Sequence, residues 1–162
     1  GAVVFSASSH PGVDVSVPGE ARSRETLRWA GSCWADEEIT ADGRYRGVRF
    51  SCDHVHVMPG LKALPVSSKV SYADMDYGFY CSSNGRLQVY ELGYLLYTDS
   101  DKYSPSSVIE IRIANGAVEY VVDDRVVYTS TTPPAQELRF CIVWHDHPAA
   151  VTNVTFSKAK SG

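Results

Sequence analysis

In SYADMDYGFYCSSNGRLQVYELG, residues 71–93, Asp74 and Asp76 stand among the tyrosines Tyr72, Tyr77, Tyr80 and Tyr90. Read as a strand, its first half alternates: Ala73, Met75, Tyr77, Phe79 and Cys81 fall on one side, and Tyr72, Asp74, Asp76, Gly78 and Tyr80 on the other. The first side is core. The second, extended by Gln88 and Tyr90 of the next strand, carries rings beside carboxylates and an amide. That set suits a sugar, which is held by an aromatic ring under its C–H face and by planar polar groups on its hydroxyls. The candidate ligand-binding residues are therefore Tyr72, Asp74, Asp76, Tyr80, Gln88 and Tyr90. In structural terms the same residues read as a solvated sheet face with stacked tyrosines, or as aspartates tying down neighbouring loops.

Hydrolysis would need more. A retaining glycosidase sets nucleophile and acid roughly 5 to 5.5 Å apart, and at the third alternating position this strand has Gly78, which cannot move a proton. Asp36, Glu37 and Glu38 read as a polar loop. No GxSxG, GxxxxGK or GxGxxG occurs, so serine-nucleophile, phosphate-loop and dinucleotide signatures are missing. No catalytic residue is nominated, and the chain reads as a non-enzyme.

The histidines come in two pairs, His54-Val55-His56 on a strand with both rings on one face, and His145-Asp146-His147 in a turn before Pro148. A metal needs three or four donors at about 2 Å from one ion. Together the two pairs could coordinate a metal, but sequence spacing alone does not bring them together, so they read first as ordinary surface or core histidines and no metal ligand is assigned. No cofactor is required, and nothing in the sequence indicates calcium.

These residues need a scaffold. Segments rich in Val, Ile, Tyr and Phe recur, each closed by Gly, Pro, Asn or Asp: VDVSV, YRGVRFSC, HVHVM, YADMDYGFYC, LQVYELG, SVIEIRIA, AVEYVV, RVVYTS, ELRFCIVW and AAVTNVTF. This is an all-β pattern. GEARSRETLRWAG alone tolerates a helix, and reads equally as a loop followed by a strand.

Turn chemistry fixes two registers. A two-residue Asn115-Gly116 turn pairs Ala114 with Ala117, Ile113 with Val118, Arg112 with Glu119 and Ile111 with Tyr120. Ile109, Ile111, Ile113, Val118, Tyr120 and Val122 then share one side, and Arg112 faces Glu119 on the other. A two-residue turn at Asn84-Gly85 would mix core with surface. A three-residue loop, Ser83-Asn84-Gly85 with Gly85 left-handed, pairs Phe79 with Val89, Cys81 with Leu87, Tyr80 with Gln88 and Gly78 with Tyr90, which keeps each face uniform. Asp123-Asp124 makes a further short turn. The expected fold is all-β, a two-sheet antiparallel β-sandwich.

The chain has 162 residues and a formal net charge of −4, enough for one domain burying roughly two thirds of its unfolded surface. Lys and Arg form no stripe, which argues against nucleic acid or an anionic membrane surface as partner. No apolar run approaches the ~18 residues of a membrane span. Cys33, Cys52, Cys81 and Cys141 are widely spaced, and read either as two disulfides or as small buried hydrophobes. Asn153-Val154-Thr155 is a glycosylation acceptor pattern. With it, the expected location is extracellular or at the cell surface. The Gly1 start and SKAKSG end read as cuts within a larger protein, leaving a single domain over residues 1–162.

Three motifs carry a family resemblance: Asp74 to Tyr77 as Asp-hydrophobic-Asp-Tyr, Val89 to Gly93 as Val-Tyr-Glu-x-Gly, and Val118 to Ser130 as a Val-x-Tyr hairpin closing on Tyr-x-Ser. Over residues 45–156 the chain resembles the concanavalin A-like lectin/glucanase superfamily of jelly-roll domains. The resemblance implies a two-sheet jelly roll used for sugar binding or adhesion; its motifs belong to the scaffold and leave calcium open. A SPRY-type protein-recognition domain is a related sandwich, whose Leu-Asp-Tyr and Asn-Gly signatures have no clear equivalents at matching positions here. The expected function is a non-catalytic, lectin-like carbohydrate-binding or adhesion module, the alternative a protein-interaction or structural module using end loops such as DSDKYSPSS and WHDHPAA. The partner is accordingly a glycan or a protein, with the oligomeric state undefined.

Overall fold

A computed structural model describes residues 1–53, 56–63, 70–82, 84–134 and 137–158, with the side chains of residues 6 and 7 left out. Fourteen strands follow in chain order: β1 (Phe5–Ser8), β2 (Val13–Asp14), β3 (Ala21–Ser23), β4 (Gly31–Ile39), β5 (Tyr45–Cys52), β6 (Val57–Ala63), β7 (Tyr77–Cys81), β8 (Arg86–Glu91), β9 (Tyr94–Lys102), β10 (Ile109–Ala114), β11 (Ala117–Val122), β12 (Arg125–Thr129), β13 (Leu138–Trp144) and β14 (Ala149–Lys158). They form two antiparallel sheets of seven, in the orders β1-β4-β13-β6-β7-β8-β9 and β12-β11-β10-β5-β14-β3-β2. The first is called the aromatic sheet here and the second the charged sheet, after their outer faces.

Period-two alternation turns one row of each sheet inward. Phe79, Leu87, Val89, Phe140, Ile142 and Trp144 of the aromatic sheet meet Phe50, Ile109, Ile111, Val118 and Tyr120 of the charged sheet in one buried cluster. Ring pairs cross the interface, Phe50 on Phe140 at 5.3 Å and Phe79 edge-on to Tyr120 at 5.2 Å. All four cysteines are buried thiols, and Cys81 meets Cys52 across the sheets at 2.9 Å between sulfurs.

The two hairpins have the expected registers. Asn115 (φ 53°) and Gly116 (φ 76°) make the turn that pairs Arg112 with Glu119, whose side chains bond at 2.9 Å. Phe79 pairs with Val89, Cys81 with Leu87, Tyr80 with Gln88 and Gly78 with Tyr90, and Gly85 is left-handed at φ 78°. Ser83 of that loop lies outside the described residues.

Two resemblance motifs meet in the core. Glu91 of the Val89-to-Gly93 motif is 8% exposed, and accepts hydrogen bonds from Tyr120 Oη at 2.8 Å and Ser130 Oγ at 2.9 Å, both in the Val118-to-Ser130 motif. Burial raises the Glu91 carboxyl above its ordinary range, and the two donors offset part of that rise. The pattern thus serves the scaffold by joining β8 to the opposite sheet.

The structure corrects the sequence reading in four places. Residues 71–76 are not part of a strand: Tyr72–Asp74 is a 3-10 turn and β7 starts at Tyr77. Asp74 Oδ2 takes both the backbone N–H (2.9 Å) and the hydroxyl (3.0 Å) of Ser71, a local bond that competes with ladder formation. Met75 is buried, but on the opposite side of the sheet from Phe79, in a separate cluster. Asp36, Glu37 and Glu38 lie on β4 rather than in a loop, and DSDK of the expected end loop belongs to β9. His56 precedes β6 with φ at 60° instead of lying on a strand, while His54 and Val55 fall outside the described residues.

Candidate functional site

On the outer face of the aromatic sheet two glycines make room for a second, smaller core. Gly60 and Gly78 are paired across β6 and β7, and a Cβ on Gly60 would lie 2.2 Å from the Tyr77 carbonyl oxygen, one on Gly78 2.6 Å from the Met58 sulfur. Without side chains at these two points, Met58, Met75 and Val70 settle against Cys141 and Val143 as a small outer core. Trp29, Trp34, Tyr80 and Tyr90 pack around it, each only partly buried.

Trp29 is the hub of the exposed part. It follows β3 in an irregular stretch, at φ 70°, and its N–H bonds to the Trp144 carbonyl at 2.8 Å, while Leu27 and Arg28 N–H groups bond to the His145 carbonyl. Left-handed backbone at a tryptophan is strained and is held only by such bonds. So placed, the indole meets Tyr72 (centroids 5.4 Å), Tyr80 (5.7 Å) and the edge of His145 (5.1 Å). Tyr90 closes the group, 6.5 Å from Tyr72 and 5.7 Å from Tyr80.

A polar group adjoins these rings. Asp146 lies between two imidazoles, with Oδ1 2.6 Å from His145 Nδ1 and Oδ2 3.8 Å from His56 Nε2. Tyr80 Oη bonds His56 Nδ1 at 2.8 Å. Burial, with Tyr90 and Asp146 adding to it, pushes the Tyr80 phenol up to about 12, so it is a neutral hydroxyl at any ordinary pH. Backbone bonds hold the group: His145 and Asp146 N–H both donate to the His56 carbonyl, at 3.1 and 3.3 Å.

Of the six residues named from sequence, the structure brings Tyr72, Tyr80 and Tyr90 into this cluster. Asp74 is spent on Ser71. Asp76 is bonded to the Ala63 N–H at 2.8 Å and the Lys62 ammonium at 3.0 Å, tying β6 to the segment before β7. Gln88 lies on the same face, bonded to Thr98 Oγ1 at 3.2 Å. Sequence reasoning noticed the two histidine pairs but did not join His56 to His145 and Asp146, and it missed Trp29; the repeated His-x-His spacing was the signal that pointed toward this group. His147 is exposed beyond the cluster.

The charged sheet carries a groove of about 580 Å³ over β10, β5 and β14. Its floor is an ion ladder. Glu110, 3% exposed, accepts from Arg49 (3.3 Å), Arg112 (3.2 Å) and Ser157 (2.6 Å), and Arg112 continues to Glu119.

The architecture is the concanavalin A-like sandwich, as three solved structures show. The chain superposes on the PSpry domain of TRIM65 with a TM-score of 0.67 at 13% identity, covering 98% of this chain and 93% of that one. The SPRY domain of human HERC1 gives 0.63 at 12%, covering 93% and 94%. The carbohydrate-binding module CBM66 from Bacillus subtilis gives 0.59 at 11%, covering 97% of each chain. At such identities the likeness is one of fold. Neither a family model nor a curated protein sequence matches the chain. Solved structures with this sandwich thus carry different roles, and the fold alone does not choose among them.

Proposed function

We propose that the protein is a non-catalytic, lectin-like module that binds carbohydrate on the outer face of the aromatic sheet. The observation that carries this reading is Trp29, a partly exposed indole in contact with Tyr72, Tyr80 and the His145 ring of the His–Asp group. A sugar needs that combination, an apolar platform beside planar groups that give and take hydrogen bonds. The aspartates Asp74 and Asp76 serve as supports for the loop carrying Tyr72. The contact set is thus Trp29, Tyr72 and Tyr90 as platform, with Asp146 and the imidazoles as polar partners. An extracellular or cell-surface location accords with this role and with the exposed Asn153 of the glycosylation pattern.

A glycan array with the chain and its Trp29→Ala variant tests the reading. Binding of a defined glycan class that falls at least about tenfold in the variant is expected, since stacking contacts of this kind are worth roughly 1–2 kcal/mol. No glycan binding by a folded protein sinks the carbohydrate reading. One observation favours a protein ligand instead: Leu92, Tyr94 (74% exposed), Leu95 and Leu96 line the turn and edge strand β9 beside Tyr90. An open apolar edge is where an extended peptide adds as a further strand.

A further inference from the structure

We propose that His56, His145 and Asp146 bind a divalent transition-metal cation of the zinc class. Each offers one donor atom, and these three atoms lie within 4.8 Å of one another. Zinc holds nitrogen and carboxylate oxygen at roughly 2.0–2.2 Å, so two ligands of one ion stand about 3–3.5 Å apart. Asp146 already presents one oxygen to each imidazole, at 2.6 Å and 3.8 Å. Admitting the ion opens the first gap by under about 1 Å and draws the wider pairs, up to 4.8 Å apart, in toward that spacing; all three side chains are close to one-third exposed and able to turn.

The surroundings carry the argument past simple proximity. A ligating histidine donates its other ring N–H to an outer partner, which fixes the tautomer and aims the lone pair. Tyr80 Oη stands in that position, 2.8 Å from His56 Nδ1, which leaves Nε2 directed at Asp146. The backbone is fixed as well. His56 N–H bonds to the Cys81 carbonyl at 2.7 Å, the His56 carbonyl takes two N–H groups from residues 145 and 146, and Ser23 Oγ donates to the Asp146 carbonyl at 2.7 Å. These bonds join four segments distant in sequence, so the donors converge without metal. Two nitrogens and one carboxylate select a borderline cation over calcium or magnesium, which take oxygen ligands. Three protein ligands leave a coordination position open toward solvent, beside Trp29.

The test needs no sugar. The metal-stripped chain is titrated calorimetrically with zinc chloride, and in parallel with calcium chloride. One zinc per chain is expected, with no saturable heat from calcium. His145→Ala and Asp146→Asn should each weaken zinc at least about 100-fold, and Tyr80→Phe about tenfold as the loss of an outer partner. Near-ultraviolet circular dichroism reports folding of each variant. Asp146→Asn nearly preserves side-chain shape and so gives a reading even if His145→Ala does not fold. Absence of zinc binding to the folded chain, or binding unchanged in Asp146→Asn, overturns the proposal. Zinc binding without any glycan binding leaves it intact and removes only the carbohydrate reading.

Discussion

The two outer faces of the sandwich differ in how their polar groups are spent. The charged sheet has a groove of its own, yet the acids of its ladder are already engaged: Glu110 by Arg49, Arg112 and the Ser157 hydroxyl, and Glu119 by Arg112. A ligand there would have to displace bonds that already exist, at a cost of the order of what it gains. On the aromatic sheet the rings stand partly exposed around Trp29, with Asp146 and two imidazoles at their margin. Volume alone does not make a site. What marks one is polar and apolar surface held ready by the backbone and not consumed by the fold.

The largest effect expected is on the floor of the aromatic face. A Cβ on Gly60 would lie 2.2 Å from the Tyr77 carbonyl oxygen and 3.0 Å from the Met75 side chain. Backbone is what it strikes, so β6 and β7 must separate and the outer core beneath Tyr80 must loosen. Gly60→Ala should lower stability by about 3 kcal/mol in denaturant unfolding. A loss under about 1 kcal/mol would mean that the two strands part easily and that the small outer core is not a rigid foundation.

A pair of variants separates the faces directly. Glu110→Ala leaves Arg49 and Arg112 without their shared carboxylate; because Arg49 is about half exposed, the expected cost is about 1–2 kcal/mol of stability, smaller than for a fully buried pair. Glycan affinity should be unchanged. Trp29→Ala should show the reverse, a small stability loss and an affinity loss of at least about tenfold. If the affinity instead tracks Glu110, the ligand lies on the charged sheet and the assignment of the faces is wrong.

How far the sequence could foresee this contrast depended on the range of the forces involved. The Asn115-Gly116 hairpin and the Tyr80–Gln88 register were legible because turn geometry and face uniformity are local and must agree. Strand β4 was hidden, since its own bulge between Trp34 and Glu38, where four steps of β4 face two of β13, breaks the alternation, and three exposed acids, Asp36 to Glu38, read as loop. Residues 71–76 had the period of a strand, yet Ser71 and Asp74 bond to each other instead. Trp29 could not have been placed at all: its position depends on carbonyls of residues 144 and 145, more than a hundred residues away in the chain.

Asp74 sharpens the distinction between a group that touches ligand and one that positions it. Its carboxylate caps the turn carrying Tyr72. Loss of such a cap costs about 1 kcal/mol. Asp74→Ala should therefore lower stability by about that amount and weaken glycan binding only as far as Tyr72 is released. An affinity loss equal to that of Trp29→Ala, with stability unchanged, would make Asp74 a direct contact after all.

The smallest effect belongs to Gln88, which marks where the site should end. It shares the outer face with Tyr80 and Tyr90, but its amide bonds to Thr98 on the far side of β8, toward the sheet edge, away from Trp29 and Asp146. An exposed bond between neutral side chains is worth little, so Gln88→Ala should change stability by less than about 0.5 kcal/mol. Glycan affinity should move less than about twofold if the platform is centred on Trp29. If Gln88→Ala costs as much affinity as Trp29→Ala, the ligand extends along β8 toward β9. The apolar row of Leu92, Tyr94, Leu95 and Leu96 would then belong to the binding surface, and an extended peptide would fit that longer track better than a sugar does.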